Sequence, residues 1–155
     1  MARIDNNDLD IPNLANLIRA SLQSQCVTAT LASGSAISLT TATTANLTSM
    51  TLPPGTYLVW ATADFNLTAA STTVQEVGIS LTSATLPSQA GGSGLGPDPL
   101  AINRIPLTTV TGVLNDIVAP TTLVLTATTT VYLVVQATFS AGTITAYGTM
   151  VAQPQ

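Results

Sequence analysis

Apolar and polar residues alternate along most of this chain with the period of two that marks extended strands. Residues 56–67, TYLVWATADFNL, carry the longest uninterrupted run of this kind and hold the single tryptophan. Tyr57, Val59, Ala61, Ala63 and Phe65 fall on one face, yet the opposite face carries Leu58 and Trp60. Residues 130–139 repeat the pattern, with Val131, Leu133, Val135, Ala137 and Phe139 set against Tyr132 and Val134. A strand apolar on both faces must be covered on both, and a chain of 155 residues rarely supplies both covers itself. The pattern therefore predicts a second subunit, with Tyr57, Trp60, Phe65, Tyr132, Phe139 and Tyr147 filling either the core or the contact between subunits.

From Val27 onward the composition turns to Thr, Ala, Val and Leu in short runs, with candidate strands at 26–32, 36–40, 46–52, 56–67, 74–83, 107–114, 121–127, 130–139 and 143–152. Turn chemistry separates them at Ser33-Gly34, Pro53-Pro54-Gly55, Ala119-Pro120 and Ala141-Gly142. Short strands at this spacing predict an all-β jelly-roll sandwich, two packed sheets joined by Greek-key connections. No repeat period is visible, which argues against a solenoid or a propeller.

Two stretches break the pattern. Residues 1–11 are polar and acidic, and they lack the glycine and closing glutamate of a calcium loop. Residues 12–25 predict one helix, with Pro12 in its first turn and Leu14, Leu17, Ile18 and Leu22 at helical spacing. That apolar stripe fits three roles: packing on the chain's own sheets, self-association about a symmetry axis, or docking into a particle. The expected division is an arm and helix over 1–25, suited to docking, and a β domain over 26–155. The second stretch, residues 86–106, is rich in glycine and proline and reads as a long contact loop with Gly91, Gly94, Leu95 and Asp98 exposed. Its glycines run into Pro-Asp-Pro and not into a helix, so they make no phosphate-binding turn.

Charge narrows the function. Only 6% of residues are charged, against ~25% in ordinary soluble proteins, so the surface is covered by Thr, Ser, Asn and small apolar groups or by other chains. The net charge is −4, and Arg3, Arg19 and Arg104 are scattered, which argues against nucleic acid as a partner. Thr and Pro interrupt every apolar run short of the ~20 residues of a membrane-spanning helix. The acidic start lacks the basic and apolar regions of a signal peptide, so the expectation is a protein used without export.

Catalytic chemistry finds few carriers. With no histidine, a Ser-His or Cys-His pair and an imidazole metal site are impossible within the chain. Cys26 is alone, cannot form an internal disulfide, and reads as a small buried hydrophobe. Asp64 and Glu76 are the one carboxylate pair to weigh for glycosidase chemistry, and nothing in the sequence brings them together. Glu76 and Arg104 could instead pair with each other. The expectation is a protein that is not an enzyme and holds no cofactor and no metal.

The segments LPPGTYLVWATADFN, VGISLTSATLP and TTTVYLVVQATFSAGTITAYGTMVA resemble a group of small virion proteins of tailed bacteriophages, over about two thirds of the chain from Thr51 onward. The resemblance implies a trimeric jelly roll similar to tumour-necrosis-factor-like head domains, displayed as a head decoration, head fibre or tail-fibre piece. It supplies no catalytic residues, and residues 1–25 lack the shaft of a long fibre. The expected role is a structural virion protein, a homotrimer docked on other phage virion proteins through its N-terminal segment, assembled in the host cytoplasm. The alternative is a receptor-binding tip whose 86–106 loop recognises host-surface glycan. That loop has no aromatic residue to stack on a sugar.

Overall fold

The computed structural model describes residues 25–87 and 112–155, with the backbone of 102–106. Among these residues lie nine strands: β1 Val27–Leu31, β2 Ile37–Ser38, β3 Ala45–Leu52, β4 Gly55–Thr68, β5 Thr72–Ser80, β6 Ile102–Pro106, β7 Gly112–Leu125, β8 Thr129–Phe139 and β9 Thr143–Pro154. They form two sheets. Sheet I has the order β1-β9-β4-β7, with β2 also beside β9, and sheet II the order β3-β8-β5-β6.

The pairings are nested. β1 and β2 pair with β9, β3 with β8, β4 with β7, and β5 with β6, all antiparallel. The chain is thus one long antiparallel ribbon, folded between β5 and β6, whose successive rungs fall alternately in sheet I and sheet II. The β4–β9 and β5–β8 ladders close each sheet. This is the eight-stranded jelly roll, with β1 and β2 together serving as its first strand.

Alternation along β4 sends Tyr57, Val59, Ala61, Ala63, Phe65 and Leu67 inward, where all are buried. Val77, Ile79, Leu133 and Val135 of sheet II belong to the same core. Fully burying side chains of this size contributes ~1.5–3 kcal/mol each. Small residues at the middle of sheet I let the sheets close tightly: a Cβ on Gly148 would strike the Thr62 carbonyl and lie 3.3 Å from Leu133 Cδ2. The turn at Ala141-Gly142 needs glycine as well, since Gly142 has φ +75° and a Cβ there would meet the Ala69 carbonyl.

Four sequence expectations change. Ala119-Pro120 is not a turn between two strands but a bulge inside the continuous β7, where two residues stand opposite Trp60 alone. A bulge tolerates proline because the ladder is already interrupted there. The 86–106 stretch is not loop throughout, since its last five residues form β6. Charged Arg104 interrupts the apolar alternation there, and only pairing with β5 reveals the strand. Cys26 is exposed, not buried, because it precedes the first paired residue of β1. The fourth change concerns what covers the strand at 130–139 and belongs with the surfaces below. The arm, the helix at Leu14, Leu17, Ile18 and Leu22, and Gly91, Gly94, Leu95 and Asp98 lie outside the described residues.

Candidate assembly surface

Both sheets have an outward face with apolar residues, and the two faces differ in what covers them. On sheet II, Asn46, Val134 and Gly78 stand in one row across β3, β8 and β5. The segment after β5 crosses that row. Asn46 Nδ2 donates to Ser83 Oγ at 2.8 Å, and the Ala84 amide donates to Asn46 Oδ1 at 2.7 Å. A methyl group on Gly78 would sit 3.0 Å from Pro87 Cδ and 3.5 Å from Leu86 Cδ2. Val134 is accordingly fully buried, although it faces away from the core. The second cover expected of another subunit over this strand is supplied by the chain itself, through residues 81–87. Sequence spacing shows that a face is apolar, not which segment crosses it.

Sheet I has no such cover among the described residues. Leu58 and Trp60 of β4 and Tyr147 and Val151 of β9 are half-buried on its outward face. Trp60 stands beside Val151, which in turn stands beside Thr28 of β1. On β7 the same face carries Val113 and Ile117, each 57% exposed, and Val124, 66% exposed. Threonines fill the gaps, with Thr30 Oγ1 and Thr149 Oγ1 3.1 Å apart across β1 and β9. The single charge on β4 in this face, Asp64, accepts a hydrogen bond from Asn115 Nδ2 at 2.8 Å.

The aromatic residues named from the sequence therefore divide. Tyr57 and Phe65 are core, and Tyr57 Oη also donates to the Pro53 carbonyl at 3.0 Å. Trp60 and Tyr147 face outward on sheet I, and Tyr132 faces outward on sheet II. Phe139, at the end of β8, packs half-buried against the core. Asp64 and Glu76 lie on different sheets and on opposite outward faces, so they do not converge. Glu76 instead stands opposite Arg104 in the β5–β6 register, within one chain. At the end of the sandwich a cleft of about 340 Å³ is lined by Val27, Pro53, Pro54, Tyr57 and Pro154, with no acidic or basic side chain.

The sequence reading passed over Asp116 and Gln75. Both point into the sandwich and are at most 1% exposed. Among the described residues, neither carboxylate oxygen of Asp116 and neither amide atom of Gln75 has a hydrogen-bond partner. Burial pushes the Asp116 carboxyl up to about 6. The signal was available, since Asp116 holds the parity of the inward-facing Leu114 and Val118 in the alternation of β7.

No family model matches the chain, and no curated protein matches its sequence. Solved structures do match it. The infectious bursal disease virus VP2 subviral particle aligns with a TM-score of 0.50 at 13% identity, over 84% of this chain and 32% of that one. The likeness is one of fold. A structure of the Gx strain of infectious bursal disease virus aligns with a TM-score of 0.46 at 10% identity, over 85% of this chain and 34% of that one. This chain thus spans about a third of the length of the chains it matches.

Proposed function

We propose that this protein is a structural component of a virus particle: a homotrimeric capsid decoration or fibre protein of a tailed bacteriophage, attached through residues 1–25. The observation that carries the reading is a jelly roll in which the apolar row of one sheet is covered by its own chain while the other sheet, among the described residues, presents an open and nearly uncharged face. Such a face suits stable contact with protein and offers no side-chain set for turnover. Fold likeness to a chain that forms a subviral particle supports the same reading, as does the sequence resemblance from Thr51 onward. The docking role of the N-terminal segment rests on its apolar stripe, Leu14, Leu17, Ile18 and Leu22, beyond the strands that build the core.

The test is reconstitution on particles. Purified protein mixed with bacteriophage particles lacking it should bind at a saturating stoichiometry that follows particle symmetry, and cryo-electron microscopy should show the sandwich projecting outward. Saturable binding to host-surface glycan, with no binding to particles, would favour a receptor-binding tip instead.

A further inference from the structure

We infer that the outward face of sheet I is the surface against which a neighbouring copy of this chain packs in the oligomer, with Trp60 inside the contact. This rests on the homo-oligomeric reading above and adds which surface makes the oligomer.

Three observations select the surface and its occupant. On sheet II residues 81–87 cover the apolar Val134 row, whereas among the described residues sheet I leaves Val113, Ile117 and Val124 exposed beside half-buried Trp60 and Val151. Chemistry then selects the partner. The face is Thr and apolar side chains, with Asp64 held by Asn115, so an acidic or a basic surface finds almost nothing to pair with. A second copy of a chain that is only 6% charged meets this face without stranding a charge, whichever of its own surfaces it offers in a closed ring.

Size agrees. Twelve register positions join β4 to β9. At ~3.4 Å per residue and ~4.8 Å between strands, the long strands β4, β7 and β9 present ~40 by ~14 Å, and the short β1 and β2 beside them bring the face to roughly 700 Å². That is close to the ~800 Å² per partner of a standard stable interface.

The alternative geometry, strand added to strand along the free edge of β7, is opposed by the edge itself. Pro120 lacks an amide donor, the bulge at Ala119-Pro120 bends the ladder, and Asp116 points its carboxylate inward. Prolines, bulges and inward charges are the devices that blunt an edge against strand addition. They leave the broad face available.

Trp60 is the only tryptophan, so fluorescence reads this face directly. Across a dilution series from nanomolar to high micromolar, assembly in sedimentation should coincide with a blue shift and a several-fold fall in acrylamide quenching. Ile117→Arg should give a folded monomer whose tryptophan stays as quenchable as in dilute wild type. Thr51→Arg, exposed on sheet II, should keep the wild-type mass. Assembly with unchanged Trp60 quenching would overturn the surface while leaving the oligomer intact, and so would normal assembly of a folded Ile117→Arg. A wild-type monomer throughout the series would overturn the homo-oligomeric reading and the surface together. If Ile117→Arg fails to fold, the wild-type quenching series decides alone.

Discussion

Asp116 occupies the inward row of β7 opposite Ala63, a position where the neighbouring rows carry aliphatic side chains. Its carboxyl has no hydrogen-bond partner among the described residues, so burial disfavours its charged form and raises its pKa to about 6. A folded-state pKa above the unfolded value means that the folded protein binds the proton more tightly. The contribution of this group to stability is therefore greatest below about pH 4, falls as pH rises toward 6, and stays lower above that. At ~1.4 kcal/mol per pKa unit the loss is at most about 3 kcal/mol, and solvent screening of the carboxylate lowers it. Asp116→Asn should therefore melt higher than wild type at pH 7.5 and close to wild type at pH 4. Equal melting temperatures at both values would show that the carboxylate finds compensation in the folded state. Phe65 and Trp60 should separate in a different way. Phe65→Ala empties a fully buried site and should destabilise the monomer by ~3–5 kcal/mol. Trp60→Ala should lower melting temperature less and oligomeric mass more.

At the scale of elements, residues 81–87 act as a strap over sheet II, and Asn46 is its fastening. Ala84 carries φ +48°, a left-handed conformation that a non-glycine residue adopts only when contacts hold it. Asn46→Ala should remove both hydrogen bonds, at about 1 kcal/mol each. Hydrogen exchange should then rise at Gly78 to Ala84 and dye binding should report newly exposed Val134, with the β4–β9 ladder unchanged. Gly148 tests the interior of the sandwich from the side of sheet I. A Cβ there would press on the Thr62 backbone and on Leu133 from the facing sheet. Gly148→Ala should consequently spread the sheets and destabilise the fold by ~1–3 kcal/mol, the usual range for overpacking. A melting temperature equal to wild type would mean that β9 can shift without loss.

For the whole molecule, the decisive question is which segments the jelly roll needs. The strands described for its two sheets all lie between Val27 and Pro154, so removal of residues 1–24 should leave a folded sandwich with its cooperative melt. With the open face of sheet I retained, the truncated protein should still assemble but should no longer attach to particles. Circular dichroism, sedimentation and a particle-binding assay check the three parts separately. Unfolding on truncation would place the helix in the core.

Much of this architecture was legible from residue order alone. Alternation with period two is local, so the strands at 56–67, 130–139 and 143–152 and the turns at Pro53-Pro54-Gly55 and Ala141-Gly142 could be read directly. The two-sided character of β4 and β8 was legible as well, because parity assigns faces without any knowledge of neighbours. Tertiary structure decided which of those faces is covered by what. Asn46 meets Ser83 and Ala84 only because β3 pairs with β8 and β8 with β5, placing residues from three distant segments in one row. The same holds for β6, whose pairing with β5 creates a strand where glycine and proline spacing suggested loop. It holds too for β7, where the partner strand keeps Ala119-Pro120 extended through a bulge. Local pattern determines where a strand runs and which way its side chains point. Only the nested pairing of distant strands decides that Val134 is sealed and, among the described residues, that Asp116 is buried without a partner and Trp60 stands on the face left open.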